Sequence, residues 1–258
     1  MKTLLILVDG MRPDAIANNP RVQKLLTRSA YTLRARTVEP SVTLPCHVSL
    51  FHSVEPSRHG TVTNVYTPQV RPVNGICEVL AKYGEHSAFF YNWEELRDLT
   101  RPDSLDFAYF RRGRSIGYDK ANIDITDAAI RHLNENPTSF AFIYFGYTDM
   151  AGHRHGWMSE EYMQAIENSL DCIDRLMTEL SDDYTFIITA DHGGHDRTHG
   201  TDLPEDMLIP VIIAGSAVGT KIVCGEIKKE VSILDLAPTV TALLGKEADA
   251  EWEGKSII

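Results

Sequence analysis

The chain is poor in cysteine, in basic charge and in long apolar runs. Its 4 cysteines, Cys46, Cys77, Cys172 and Cys224, are scattered and form no C-x-x-C pair, which weakens zinc-ribbon and dithiol readings. Only 25 Lys and Arg stand against 36 Asp and Glu, for a formal net charge of −11. No basic run offsets that balance, which argues against a nucleic-acid-binding surface. No segment approaches the ~20 apolar residues that span a bilayer. The run Leu4–Val8 ends in the carboxylate of Asp9 and is short for a secretory core. The expectation is a cytoplasmic protein with reduced thiols and no membrane partner. An acidic chain can still act on anionic substrates, because bound metal reverses the local sign.

What is present is an alternation. Strand-like apolar runs occur at Thr3–Val8, Tyr31–Val38, Ser87–Tyr91, Phe140–Tyr147, Tyr184–Thr189 and Leu208–Ala214. Three of them contain nearly continuous apolar stretches, as central strands buried on both faces do. Between them lie helical patterns, the clearest from Ser159 to Leu180, where Tyr162, Ile166, Leu170, Ile173, Met177 and Leu180 recur at steps of three and four. Further helices are expected at Arg21–Ser29, Gly75–Tyr83, Ile123–Asn134 and Asp235–Leu244. The fold class expected is α/β, a mostly parallel central sheet with helices on both faces. The 258 residues read as one catalytic domain, with residues about 55–135 expected as a small cap or lobe.

In such sheets ligands bind at the carboxyl ends of strands. Asp9, Asp149 and Asp191 each follow a strand candidate, so three distant acidic residues converge on one sheet edge. Asp149-Met-Ala-Gly-His153 spaces a carboxylate and an imidazole by four, one face of a helix. Asp191-His192 precedes two glycines. His195 and His199 compete as the next ligand, as His155 competes with His153. Each element alone has a bland reading: a turn aspartate, a capping aspartate, an exposed histidine. Thr43, ahead of Pro45 and an apolar pattern, reads as a loop feeding a helix whose first N–H groups would face a phosphoryl oxygen. Its bland reading is a helix cap. Metal changes those odds, because a divalent ion lowers the pKa of a bound oxygen from ~15.7 to ~7. His47 and His59 flank this segment as candidate supports. Arg12, Arg58, Arg154 and Arg197 are candidate phosphate contacts, or else surface ion pairs.

The elements Leu7-Val-Asp9-Gly-Met-Arg-Pro-Asp14, Thr43-Leu-Pro-Cys-His47, Glu55-Pro-Ser-Arg-His-Gly60 with Asn64, Asp149-Met-Ala-Gly-His-Arg-His-Gly156 and Ala190-Asp-His-Gly193 together resemble the alkaline phosphatase superfamily. Within it, the resemblance is to the nucleotide pyrophosphatase/phosphodiesterase branch. It implies an alkaline phosphatase-like three-layer sandwich and two divalent ions, zinc foremost, with manganese or iron as alternatives. It implies that Asp9, Asp191 and His192 hold one ion beside Thr43, that Asp149, His153 and a final histidine hold the other, and that Asn64 bonds a phosphoryl oxygen. His199 is the choice for the final ligand, since His195 lies too close to His192. Cys46 stands where the branch often has asparagine. It is not the sulfatase nucleophile, because Thr43 occupies that position.

The implied reaction is hydrolysis of a phosphate ester through a phospho-threonine intermediate, on a small-molecule diester or nucleotide pyrophosphate ahead of a monoester or phosphonate. The rivals are a metal-dependent phosphosugar mutase, expected to carry a large second domain, and a catalytically silent metal-binding module. A structural site would fill its open positions rather than leave a hydroxyl poised there.

Overall fold

The computed structural model describes residues 1–258. Eight strands form one sheet: β1 Lys2–Val8, β2 Ala30–Arg36, β3 Ser87–Tyr91, β4 Phe107–Phe110, β5 Phe140–Phe145, β6 Tyr184–Thr189, β7 Leu208–Gly215 and β8 Gly225–Glu226. Their order is β4-β3-β5-β1-β6-β7-β2-β8. Every pairing is parallel except those of β7, which runs antiparallel to β6 and β2. The central strands β5, β1 and β6 are buried on both faces, as their apolar runs require. In register, Val8 pairs with Phe145 and Leu7 with Thr189. The three strands therefore end level, and whatever follows them meets at one edge.

The longer helices are α1 Pro20–Leu26, α2 Thr43–His52, α3 Ile76–Lys82, α4 Tyr118–Glu135, α5 Tyr147–His155, α6 Glu160–Glu179 and α7 Leu236–Leu243. Helices α4, α5 and α6 pack together as one layer, and α2, α3 and α7 as another. This is the expected α/β sandwich. Helix α6 is set by its sequence: Ser159 caps it by accepting from Tyr162 N–H at 3.2 Å, and Tyr162, Ile166, Leu170 and Ile173 are buried. Helix α4 begins at Tyr118 rather than at Ile123. Gly117, at a φ of +96°, turns the chain into it, and the polar first turn Tyr118-Asp-Lys120 hides that start from an apolar periodicity.

The cap expected at about 55–135 is not a separate layer over the site. Strands β3 and β4 lie within that stretch and extend the main sheet. Ile76, Leu80, Phe89 and Phe90 belong to the same buried cluster of 69 residues as Leu5 and Ile187. The physical reason is that Ser87–Tyr91 is buried at every position, which only an interior strand satisfies. Strand β4 escaped the sequence reading because it is four residues long and alternates between half-buried and exposed. The expected strands Tyr31–Val38 and Phe140–Tyr147 end sooner, at Arg36 and Phe145, and Tyr147 starts α5 instead.

Candidate metal centre

Asp9 follows β1, Asp191 follows β6, and Asp149 sits in the first turn of α5, just after β5. Gly10 makes the turn beyond Asp9 with a φ of +68°, and its N–H donates to Asp191 Oδ1 at 3.2 Å. The same oxygen accepts from His192 N–H at 3.0 Å. The Tyr144 hydroxyl donates to Asp9 Oδ2. The remaining oxygens, Asp9 Oδ1, Asp149 Oδ1 and Asp191 Oδ2, are buried without any hydrogen-bond partner. Buried polar atoms almost always have partners, so three orphaned carboxylate oxygens in one place call for one. Burial, then repulsion from Asp149 and Asp191, holds the Asp9 carboxyl well above its usual range. Burial and Asp149 push Asp191 up to about 8.

The histidines complete the argument. His192 Nδ1 donates to Gly193 carbonyl at 2.7 Å, His153 Nδ1 to Arg197 carbonyl at 3.0 Å, and His199 Nδ1 to Ser41 carbonyl at 2.8 Å. In a neutral imidazole the other nitrogen then carries a lone pair. Each of those lone pairs faces a carboxylate. His192 Nε2 lies 3.3 Å from Asp9 Oδ1 and 3.4 Å from Asp191 Oδ2. His153 Nε2 and His199 Nε2 lie 3.3 and 3.6 Å from Asp149 Oδ1. Lone pair against anion is repulsive unless a cation lies between, and backbone bonds that fix the far nitrogen are the usual support of a metal-ligating histidine. Burial keeps His192 and His199 neutral, with pKa values depressed to about 3 and about 4. Two overlapping sets of donors, Asp149, His153, His199 and Asp9, Asp149, His192, each lie within 4.8 Å of one another. The residues fit divalent metal.

Thr43 is the first residue of α2 and is buried. Its hydroxyl donates to His192 Nε2 at 3.1 Å. Asn64 reaches the same helix start: its Oδ1 accepts from Leu44 N–H at 2.9 Å. That N–H, expected to face a phosphoryl oxygen, is thus occupied, and the amide nitrogen of Asn64 is left as the donor. One turn on, His47 Nδ1 donates to Thr43 carbonyl at 2.7 Å and lies 3.5 Å from Asp191 Oδ2.

The Metalloenzyme superfamily model matches residues 110–248, more than half of the chain. The chain belongs to the metalloenzyme superfamily. The Type I phosphodiesterase / nucleotide pyrophosphatase family matches residues 3–84, and the resemblance read from the sequence is borne out. Among curated proteins, the 2,3-bisphosphoglycerate-independent phosphoglycerate mutase of Staphylococcus aureus is 30% identical over 142 residues, 52% of this chain and 26% of that protein. The chain thus spans about a quarter of the length of the curated relatives it matches. Among solved structures, murine ectonucleotide pyrophosphatase/phosphodiesterase 5 superposes with a TM-score of 0.76 at 15% identity, covering 98% of each chain. A phosphonate monoester hydrolase from Silicibacter pomeroyi gives a TM-score of 0.75 at 15% identity, covering 99% of this chain and 75% of that one. These likenesses show the fold.

Other candidates in this metalloenzyme lie elsewhere. His195 Nδ1 bonds Asp206 Oδ1 at 2.8 Å, and His155 lies 3.5 Å from Glu161. His59 bonds Ser49 at 3.0 Å and takes the N–H of Thr61, so it is packing within its own segment rather than a support of the site. Arg12 pairs with Asp14 at 2.5 Å and donates to Gly194 carbonyl at 3.0 Å. Arg58 pairs with Glu251 at 2.8 Å. Neither is a free phosphate contact. No helix is long and apolar enough to cross a membrane. The sequence reading missed Tyr144 and Trp157. Trp157 Nε1 and the Tyr162 hydroxyl both donate to Gly10 carbonyl at 2.9 Å, pinning the turn beyond Asp9. The available signal was a tyrosine inside the apolar run Phe140–Phe145, since a buried phenol needs a partner.

Proposed function

We propose that this metalloenzyme hydrolyses phosphate esters with Thr43 as nucleophile, acting on phosphodiesters or nucleotide pyrophosphates. The observation that carries the reading is the Thr43 hydroxyl, buried at a helix start and 3.1 Å from His192 Nε2, beside three orphaned carboxylate oxygens. Asp9, Asp191 and His192 would hold one divalent ion, and Asp149, His153 and His199 a second. Zinc best suits this mixed oxygen and nitrogen set. The ions would supply the Lewis-acid charge that makes a threonine hydroxyl acidic and offsets phosphoryl charge.

Thr43 loses its proton to solvent, and its oxygen attacks phosphorus in line. The bond to the departing alcohol breaks, and that oxygen takes a proton from water. A water molecule then attacks the phospho-threonine from the vacated side, releasing a phosphomonoester and restoring the hydroxyl. Asn64, anchored through Oδ1 on Leu44 N–H, directs its amide N–H toward a non-bridging oxygen, a neutral donor where charge develops. Tyr144 and the N–H groups of Gly10 and His192 fix Asp9 and Asp191, so the carboxylates need no rearrangement during the reaction. The inactive form of the murine neighbour carries a threonine-to-alanine substitution and is in complex with AMP. That supports both a threonine nucleophile and a nucleotidyl group as substrate here.

The test is a rate comparison on bis-p-nitrophenyl phosphate, p-nitrophenyl phosphate and a phosphonate monoester, with metal content measured on the same preparation. The expected result is two ions per chain and the diester fastest. A monoester preference overturns the diester reading. Bound metal without turnover on any ester restores the silent module. The mutase relative favours a second reading, phosphoryl return to an acceptor hydroxyl instead of water; product analysis with a polyol acceptor separates the two.

A further inference from the structure

We propose that Asp206 is a positioning residue: it clamps the loop from His192 to Thr201 so that His199 faces Asp149, and thereby builds the outer metal-binding group. Asp206 is fully buried, and its oxygens are not among those left without a partner. Its side chain is saturated: Oδ1 accepts from His195 Nδ1 at 2.8 Å, and Oδ2 from Thr201 N–H at 2.9 Å and from the Thr201 hydroxyl at 2.8 Å. Its own carbonyl accepts from Gly193 N–H at 2.8 Å, and the carbonyl of Glu205 from Gly194 N–H at 2.8 Å. One residue thus grips the loop just after His192 and again just after His199. The approach is close enough that a Cβ on Gly193 would lie 2.0 Å from Glu205 carbonyl, so only glycine fits.

The clamp reaches the site through a second path. Thr201 carbonyl accepts from the Ser41 hydroxyl at 2.8 Å, and Ser41 carbonyl accepts from His199 Nδ1 at 2.8 Å. Ser41 is fully buried, two residues before Thr43. The circuit Asp206–Thr201–Ser41–His199 therefore sets the ring orientation of His199 and ties it to the nucleophile segment. Burial alone would raise the Asp206 carboxyl, but the bonds from His195 and Thr201 outweigh it and hold it below its usual range. An alanine there leaves Thr201 N–H and the His195 ring without that partner.

The inference rests on the metal reading above, not on ester hydrolysis, and its test reads metal directly. Zinc stoichiometry and affinity are measured by chelator competition on the wild-type chain, Asp206→Ala, Asp206→Asn and Thr201→Val, with the melting temperature of each metal-free protein alongside. Asp206→Ala is expected to keep one equivalent at wild-type affinity and to weaken the other by about 10- to 100-fold, the usual effect of losing a support behind a ligand. Asp206→Asn keeps an oxygen for Thr201 and is expected to fall between; Thr201→Val, which can be read even if the alanine variant fails to fold, weakens the same equivalent. A wild-type chain that takes up no zinc overturns the metal reading, and the clamp with it. Two equivalents in the wild type and unchanged affinity in all three variants overturn the clamp alone. Equal weakening of both equivalents with a lowered metal-free melting temperature assigns Asp206 a general folding role, and also overturns it.

Discussion

The two halves of the candidate centre are built differently. Asp9, Asp191 and His192 stand at the ends of adjacent central strands, and their side chains are at most 2% exposed. Main-chain N–H groups and Tyr144 hold them. Asp149, His153 and His199 come from a helix and a loop, and the His153 side chain is 42% exposed. The inner half is fixed to the sheet, which suits the side beside the proposed nucleophile, where a small misplacement is expensive in rate. The outer half opens to solvent, which suits the side where, in the proposed reaction, an alcohol would leave and water arrive. Asp149 belongs to both donor sets, so the halves share a wall.

Removing the hydroxyl beside the inner half is expected to have the largest effect. Thr43→Ala should lower steady-state turnover by about 10⁴-fold or more, as removing a covalent nucleophile does, while metal content and melting temperature stay near wild type. Assay of a diester with metal analysis checks this; substantial remaining turnover would show that Thr43 is not the nucleophile. The next contrast is between histidines. His192→Ala should weaken zinc binding beyond about 100-fold, because a ligand is lost from a dry site where nothing can replace it. His153→Ala should weaken it less than His192→Ala does and recover activity in excess zinc, because water can enter. Equal losses from the two substitutions would remove the distinction between inner and outer halves.

The smallest expected effect is on the pH dependence of metal-free stability. Burial and Asp149 raise the Asp191 carboxyl to about 8 in the fold, against about 4 in an unfolded chain. A raised carboxyl favours the fold while protonated, so its contribution is complete below about pH 4 and is lost as pH rises through about 8. The metal-free melting temperature should therefore fall between pH 5 and 9, and added zinc should reverse the fall. A metal-free protein that gains stability over that range would show that the carboxylates are satisfied without an ion.

Strand and helix placement was legible where one period dominated. Ser87–Tyr91 and Tyr184–Thr189 are strands over the ranges their apolar runs suggested, and the longest helix, Glu160–Glu179, lies within a residue of its expected ends at Ser159 and Leu180. Strand β4 was illegible because its apolar run, Phe107-Ala-Tyr-Phe110, is only four residues long, and an edge strand needs little burial. The candidate ligands were legible as residue types at strand ends, since a parallel sheet sends its strand tips to one edge. His199 and His195 were harder to separate: both follow Asp191-His192 within a glycine-rich loop, and the choice of His199 rested only on His195 lying too close to His192 along the chain.

Local chemistry along the chain was therefore enough for the class of fold, for Asp9, Asp149 and Asp191 meeting at one edge, and for a hydroxyl at a helix start. Periodicity and strand-end position act over a few residues and survive in one dimension. Only the tertiary structure decided that Ser41 carbonyl orients His199, that Tyr144 braces Asp9, and that Asp206 joins Gly193 to Thr201. Those bonds join residues separated by long stretches of chain or by the return of a loop, and a hydrogen bond between such partners leaves no pattern in sequence.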